Sequence, residues 1–309
     1  MSSKIILAAF YERTAKMMNL CDLRTVREIM ERHGLKFRHE FGQNFLITPA
    51  VPQRIAEMCC DDAESCILEI GPGIGTLTCY LAERFSKVTA VEIDRGLIPA
   101  LGETLAEYGN VKIINDDIMK VDIEKLVREE FGDRRVSVCA NLPYYITTPI
   151  IMKLLESNVR FDSITVMIQR EVADRLTASA GDSDYGAITA VLGYYGEAEK
   201  LFTVKPGNFE PPPKVDSTVV RISLYDTPKY NPRNRELFFS VIKAAFAQRR
   251  KTMLNALSSG LSGYDKAMIS RAIEEAGHRA DIRGERLSTA DFCLLSDKLY
   301  EIKNNIQEI

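Results

Sequence analysis

Residues 66–75 read Cys66-Ile67-Leu68-Glu69-Ile70-Gly71-Pro72-Gly73-Ile74-Gly75, and helix-like sequence follows them as far as Phe85. The short apolar run up to Ile70 predicts a strand, and the glycines predict a turn that opens a helix. Glycines at such a turn let the backbone pass close to a ligand, although a plain tight connection is the alternative. Leu77 and Thr78 stand where the last glycine of the dinucleotide pattern would be sought, which argues against NAD.

Further apolar runs continue this pattern along the chain. Four of them are separated by helix-like sequence, namely Val88–Ile93, Val111–Ile114, Val136–Ala140 and Ile164–Ile168. Strands that alternate with helices at this spacing predict right-handed βαβ units and therefore a parallel, Rossmann-like α/β sheet. Open sheets of this kind bind ligands at the carboxyl ends of their strands. We therefore expect the glycines, Glu92, Asp117 and Asn141, which all follow strands, to share one site.

The remaining sequence predicts two domains. Residues 217–224 are rich in β-branched side chains and predict a strand, whereas residues 226–234 contain two prolines and suit a linker. From residue 236 onward the apolar residues recur with helical spacing. We expect an α/β domain over residues 1–225, with an N-terminal helical extension over 1–40, and a smaller all-α domain over 226–309.

Composition limits the possible functions. The chain has 309 residues, of which 46% are apolar and 27% are charged, so it can bury a sizeable core. Its 40 basic and 43 acidic side chains give a net charge of −3, which excludes a globally basic nucleic-acid coat protein. Residues 229–251 nevertheless carry seven basic side chains against one acidic, which suits phosphate contacts or else a solvated helix face. The candidate RNA-binding residues in this stretch are Lys243, Arg249, Arg250 and Lys251.

Cysteine and histidine usage argues against a metal site. The seven cysteines form no Cys-x-x-Cys pair, and the three histidines stand far apart in the sequence. We expect reduced thiols in a cytoplasmic protein, and no metal. No stretch reaches eighteen apolar residues, so we expect no membrane span either.

Two carboxylates at predicted strand ends are candidate ligand contacts. Glu92 lies where an acidic group can accept two hydrogen bonds from a ribose diol, which both NAD and S-adenosylmethionine present. Asp117 can accept from an adenine amino group, with Asp116 as the competing candidate. A solvated surface glutamate and a helix N-cap are the respective alternatives.

Asn141-Leu142-Pro143-Tyr144 is the most specific feature of the sequence. The lone pair of the adenine N6 amine is delocalised into the ring, so this nitrogen is a poor nucleophile. The side-chain oxygen of Asn141 and the carbonyl oxygen of Leu142 would accept both N–H bonds and favour a pyramidal, nucleophilic nitrogen. Pro143 holds the turn rigid and Tyr144 can stack on the base, whereas the alternative is a proline turn with buried aromatics.

Phe209 precedes the triple proline 211–213. A rigid polyproline segment holds a side chain at low entropic cost, so Phe209 is a candidate to close the other face of the base. A core phenylalanine is the alternative.

Several segments together resemble one known family, the KsgA-type small-subunit rRNA adenine N6,N6-dimethyltransferases. The resemblance covers nearly the whole chain. The segments are Gly42–Leu46, Glu69–Gly75, Val91–Asp94, Asn141–Tyr145, Phe209 with Pro211–Ser217, and Phe246–Thr252.

This resemblance implies a Rossmann-like, S-adenosylmethionine-dependent methyltransferase sheet followed by a smaller helical rRNA-binding domain. The implied enzyme dimethylates N6 of two adjacent adenosines near the 3′ end of 16S rRNA, inside a pre-30S particle, and we expect it to be monomeric. The implied cofactor contacts come from Gln43, Asn44, Leu46, Gly71, Gly73, Glu92, Asp117 and Asn141. The expected catalytic residues are Asn141, Leu142, Pro143, Tyr144 and Phe209.

Other functions stay open at this point. An Erm-type methyltransferase of large-subunit rRNA shares the neighbourhoods of Gly42–Phe45 and Asn141–Tyr144 in outline. A DNA adenine methyltransferase fits less well, because Asp or Asn followed by Pro-Pro is usual there. A non-catalytic RNA-binding or assembly factor on the same fold and an NAD oxidoreductase are the alternatives from other classes.

Overall fold

The structure is a computed structural model that describes residues 18–36, 43–248 and 250–307. Gly42 and Arg249, and much of the predicted extension over residues 1–40, lie outside the described residues.

Among the described residues, strands of the central sheet form at every predicted strand segment, with bounds that differ by at most one residue, and Gly196–Val204 is a further strand. Their bounds are Cys66–Ile70 (β2), Lys87–Glu92 (β3), Val111–Asn115 (β4), Val136–Asn141 (β5), Ser163–Gln169 (β6), Gly196–Val204 (β7) and Ser217–Leu224 (β9). Their order in the sheet is β4-β3-β2-β5-β6-β9-β7. β2 pairs in parallel with both β3 and β5, β3 with β4, and β5 with β6, which confirms the predicted parallel α/β sheet. A separate antiparallel pair joins Phe45–Leu46 (β1) to Phe209–Glu210 (β8).

Helices connect successive strands, and further helices come after the last strand in the chain. Those up to β6 are Leu23–Arg32 (α1), Ala50–Cys59 (α2), Thr76–Arg84 (α3), Ile98–Thr104 (α4), Ile123–Phe131 (α5) and Thr147–Leu155 (α6). The later ones are Arg170–Leu176 (α7), Ala187–Tyr195 (α8), Arg235–Phe246 (α9), Met253–Gly260 (α10), Lys266–Glu275 (α11) and Thr289–Gln307 (α12). The Asp22 carboxylate accepts hydrogen bonds from the backbone N–H groups of Arg24 and Thr25 and so begins α1. In the part of the chain described, every helix is too short or too polar to span a bilayer.

The described residues group into two compact units. One consists of residues up to Arg170 together with Leu201–Arg221, and the other of Glu171–Lys200 together with residues from Ile222 onward. The domain boundary predicted from the sequence, at 225/226, places residues 171–200 in the first domain. The structure instead groups these residues with the C-terminal helices. The reason is packing, because the Tyr194 ring lies 5.4 Å from that of Phe238 on α9.

Burial of the central strands places the ligand site of the first unit. All of β2 is buried, as is all of β5 except Asn141, because helices cover both faces of a parallel sheet. The chain leaves β2 towards β3 and β4 on one side and later adds β5 and β6 on the other side. A crevice forms at such a reversal, beside the carboxyl ends of the strands.

Candidate active site

A cavity of about 800 Å³, open to solvent, lies at the carboxyl ends of β2, β3 and β5. Most of its lining comes from four segments that are distant in sequence, residues 43–46, 69–73, 92–93 and 141–145. The fold therefore brings together the glycine turn, Glu92 and the Asn-Leu-Pro-Tyr turn, as the sequence predicts.

The glycine turn shapes one wall of this cavity. Gly71 and Gly73 have φ values of +70° and +63°, in the left-handed region that side chains disfavour. A Cβ atom at Gly73 would lie 3.0 Å from a ring carbon of Phe45, and one at Gly71 would meet no atom within 4 Å. Glycine is therefore required at Gly73 both by conformation and by the approach of Phe45.

The carboxylate of Glu92 is buried at the end of β3, with 4% of the residue exposed. Its oxygens accept the backbone N–H groups of Gly73 at 3.2 Å and Asp94 at 2.8 Å. Burial raises the pKa of Glu92 to about 7, against the lowering effect of these two hydrogen bonds. A carboxylate tied to the glycine turn in this way faces the cavity with its position fixed before any ligand binds.

Glu69 is a second acidic residue of the cavity lining, and the sequence pattern assigns it no role. Only 1% of the residue is exposed, and neither carboxyl oxygen has a hydrogen-bond partner among the residues that the structure describes. Burial raises the pKa of Glu69 to about 8. The nearby Thr78 hydroxyl lowers this pKa only in part, because it forms no hydrogen bond of normal geometry with the Glu69 carboxyl group. With this pKa the carboxyl group is mostly protonated at neutral pH, and a positively charged ligand nearby would favour its ionised form. The signal was present in the sequence, as the one charged residue in the apolar strand Cys66–Ile70.

The turn after β5 presents two oxygen acceptors. Asn141 donates from Nδ2 to the carbonyl oxygen of Asn44 at 3.3 Å, which orients the amide and leaves Oδ1 to accept. The Leu142 N–H donates to the carbonyl oxygen of Met167 at 3.1 Å, and among the described residues the Leu142 carbonyl accepts no backbone N–H. Both residues line the cavity. Two free acceptors on consecutive residues suit an amine that carries two N–H bonds.

The same turn presents an aromatic ring of fixed orientation. The Pro143 carbonyl accepts from the Ile146 N–H and the Thr147 hydroxyl, which closes the turn. Tyr144 is half-buried, and its hydroxyl lies 2.6 Å from the hydroxyl of Ser217. Burial raises the pKa of Tyr144, so this phenol is neutral at physiological pH. Ser217 is not a residue that local sequence could single out, since a tertiary contact alone brings it to Tyr144.

The segment before β1 completes the lining. Gln43 donates to the Asp94 carboxylate at 3.1 Å, just beyond β3, and Asn44 holds Asn141. Leu46 is buried and contributes an apolar contact. The predicted cofactor residues Gln43, Asn44 and Leu46 therefore do line the cavity.

Two predicted residues lie apart from the cavity lining. The Asp117 carboxylate accepts the N–H of Met119 at 2.9 Å, within the turn after β4. Phe209 is 2% exposed and packs in the hydrophobic core, where β8 pairs with β1. In this conformation Phe209 has the surroundings of a core phenylalanine, so a base contact from it would require β8 to move. The roles of both residues remain predictions.

The predicted RNA-binding residues belong to the C-terminal unit. Lys243 and Arg250 are exposed and Lys251 is partly exposed, whereas Arg249 lies outside the described residues. Other basic residues of the stretch 229–251 have partners within this unit, since Lys229 pairs with Glu197 and Arg233 with Glu301. The positive charge available to RNA is therefore smaller than the sequence count.

Metal chemistry receives no support from the described residues. They contain no cluster of three His, Cys, Asp or Glu side chains that could hold an ion. All seven cysteines have free thiols.

The strand order and the acceptor turn at the end of β5 define the class of this protein, a Rossmann-like methyltransferase. Residues 34–293 match the family model described as ribosomal RNA adenine dimethylase, and the chain belongs to that family.

Curated relatives extend over nearly the whole chain. The chain is 47% identical over 290 residues to the ribosomal RNA small subunit methyltransferase A of Lachnoclostridium phytofermentans, covering 92% of this chain and 99% of that one. It is 46% identical over 273 residues to the protein of the same name from Alkaliphilus oremlandii, covering 88% and 95%.

Solved structures agree with this assignment. A dimethyladenosine transferase from Plasmodium falciparum has a TM-score of 0.68 at 25% identity, covering 83% of this chain and 98% of that one. The 23S rRNA methyltransferase ErmE has a TM-score of 0.64 at 26% identity, covering 83% and 100%. The Erm-type alternative is disfavoured, because the small-subunit relatives named above share 46–47% of aligned residues with this chain.

Proposed function

We propose that this chain transfers methyl groups from S-adenosylmethionine to N6 of adenosines in small-subunit rRNA, giving N6,N6-dimethyladenosine. The observation that carries the proposal is the pair of free acceptors, Asn141 Oδ1 and the Leu142 carbonyl, at the edge of a cavity that also holds an unpaired carboxylate. The names of the curated relatives point to the same substrate class.

The residues of the cavity fit this cofactor. Glu92 is positioned to accept from a ribose diol, and the space beside Gly71 leaves room for a ligand close to the backbone. Glu69 offers a buried carboxyl group that the positive charges of S-adenosylmethionine would help to ionise. When bound, S-adenosylmethionine supplies an electrophilic methyl group on a sulfonium centre. Among the predicted contacts, Gln43, Asn44, Leu46, Gly71, Gly73, Glu92 and Asn141 would hold it, and Asp117 would do so by a movement of its turn.

The turn after β5 prepares the amine. Asn141 Oδ1 and the Leu142 carbonyl oxygen accept hydrogen bonds from the two N–H groups of N6. These hydrogen bonds oppose delocalisation of the nitrogen lone pair into the ring. Pro143 keeps these acceptors in place, and Tyr144 stacks on the adenine after it leaves its own base stack. The protein contributes positioning and electrostatics, and the alkylated amine is acidic enough to lose its proton to water.

The finer features of the proposal come from the resemblance. They are two adjacent target adenosines near the 3′ end of 16S rRNA, a pre-30S particle as substrate, rRNA contacts from Lys243, Arg249, Arg250 and Lys251, a monomeric enzyme and a cytoplasmic location.

Methyl transfer to purified ribosomal subunits tests the function. Undermethylated 30S particles and 50S particles are incubated separately with the chain and S-adenosylmethionine labelled in its methyl group, and the modified base is identified by mass spectrometry. We expect dimethyladenosine in 16S rRNA alone. Label in 50S particles would support the Erm-type alternative, and binding to 30S without transfer would support a non-catalytic factor.

A further inference from the structure

Asp216 holds two cations at the surface of the first unit. Its carboxylate oxygen Oδ2 lies 2.7 Å from Lys205 Nζ and 3.7 Å from an Arg170 guanidinium nitrogen, and its carbonyl accepts the Arg170 N–H at 3.0 Å. The Asp216 side chain is 18% exposed, whereas those of Arg170 and Lys205 are 63% and 72% exposed. A mostly buried carboxylate thus orients two cationic side chains that are open to solvent.

This cluster carries excess positive charge. One carboxylate faces two cations, and Lys214 is exposed two residues earlier in the same loop. Exposed ion pairs stabilise a fold by only about 0–1 kcal/mol, so stability alone is a weak reason to order two long side chains here. Oriented, solvent-facing cations suit a phosphate group.

The position of the cluster points to the ligand. Ser217, whose hydroxyl lies 2.6 Å from that of Tyr144, directly follows Asp216. Arg170 directly follows β6, which pairs in parallel with β5 so that Met167 lies opposite Asn141. The cations therefore lie at the same edge of the sheet as the acceptor turn, yet neither lines the cofactor cavity.

We infer that Arg170 and Lys205, oriented by Asp216, form a phosphate-binding subsite for the RNA backbone beside the adenosine that stacks on Tyr144. The inference rests on the proposed function and deepens it. Contacts to phosphates position RNA without reading its sequence, so this subsite presents the base to the turn after β5 and leaves base selection to that turn.

The salt dependence of RNA binding tests the subsite. The probe is a fluorescent RNA hairpin with two adjacent adenosines in its loop, titrated with the full chain at several salt concentrations. The variants are Arg170→Ala, Lys205→Ala and their double variant, and Arg170→Lys with Lys205→Arg preserves the charge. Arg135→Ala is the matched control, because Arg135 is an exposed cation (68%) bound to a mostly buried carboxylate, Asp162, before β5 at the opposite edge of the sheet.

The double alanine variant should raise the Kd for RNA about tenfold. A plot of the logarithm of the association constant against the logarithm of salt concentration falls with salt, and in this variant its slope should be less steep by about 1. The charge-preserving variant and Arg135→Ala should keep the wild-type slope, and the Kd for S-adenosylmethionine should stay unchanged throughout. A wild-type slope in the double variant, whose folding is checked by urea unfolding, would overturn the subsite, and so would an equal loss in Arg135→Ala. Failure of the wild-type chain to methylate 30S particles would instead refute the proposed function, because the salt slope is measured without methyl transfer.

Discussion

The hydrogen bond between the hydroxyls of Tyr144 and Ser217 fixes the ring that we expect to stack on the target base, and Tyr144→Phe removes it. The two oxygens are 2.6 Å apart, and Ser217 is 0% exposed. In the Tyr144→Phe variant the buried Ser217 hydroxyl would lack this partner, which should lower the free energy of unfolding by about 1–3 kcal/mol. Ser217→Ala should cost about 1 kcal/mol, and the double variant should show a coupling energy of about 1 kcal/mol between the two sites.

The same bond should act on catalysis through the orientation of the ring. A loss of about 1 kcal/mol in the transition state slows transfer roughly fivefold, because a tenfold change in rate corresponds to about 1.4 kcal/mol. The Kd for S-adenosylmethionine should not change, since the predicted cofactor contacts are intact in both variants.

Two measurements on the same variants decide the matter. Urea unfolding gives the coupling energy, and single-turnover methyl transfer to undermethylated 30S particles gives the rate. Tyr145→Phe is the control for stability, because this neighbouring ring is 59% exposed and its variant should unfold with a free energy within about 0.5 kcal/mol of wild type. Additive unfolding energies, or wild-type transfer by Tyr144→Phe, would refute the reasoning.

Three further outcomes follow from the cavity. Gly73→Ala should lower the free energy of unfolding by at least about 1–2 kcal/mol in urea, because φ is +63° and Phe45 lies 3.0 Å from the new Cβ, whereas Gly102→Ala, in open space on α4, should raise it by about 0.5–1 kcal/mol. Burial raises the pKa of Glu92 from 4.5 to about 7, so its contribution to stability is complete below pH 4.5 and is lost as pH rises through 7. Burial of Glu69, whose pKa rises to about 8, adds to the same loss, so urea unfolding of the ligand-free chain between pH 5 and 8 should show a decline that Glu92→Gln makes shallower without abolishing it. Asn141→Ala should slow methyl transfer about 10²-fold and weaken binding of S-adenosylmethionine by calorimetry, since it removes an acceptor and the bond to the loop before β1, and wild-type turnover would contradict the assigned role.

Local sequence is informative where one physical rule dominates. The strand Cys66–Ile70 was predicted with its observed bounds, because a strand buried on both faces needs a continuous apolar run. Helix α1 begins after Asp22 for an equally local reason, because a short carboxylate satisfies the first free backbone N–H groups. In contrast, Gly196–Val204 was missed as a strand, because only its first and last residues are buried and the seven between them are exposed or partly exposed without a regular period.

The candidate site divides in the same way. The acceptor turn at Asn141 was predictable, since the chemistry of an adenine amine demands adjacent oxygens and the turn contains its own rigid proline. The placement of Phe209 was not, because whether it faces a ligand or the core depends on the pairing of β8 with β1, two short strands far apart in the chain.

Short segments of sequence specify the parallel sheet, the edge at which ligands bind and the chemistry of the turn after β5, because periodicity, glycine conformation and side-chain chemistry are local properties. The contact of Ser217 with Tyr144 and the ion pairs of Asp216 with Arg170 and Lys205 arise from tertiary packing, as does the lack of a hydrogen-bond partner for Glu69 among the described residues. These arrangements depend on which distant segments exclude water from one another. Tyr144 and Ser217 are more than seventy positions apart, so the local sequence around either residue cannot predict their contact.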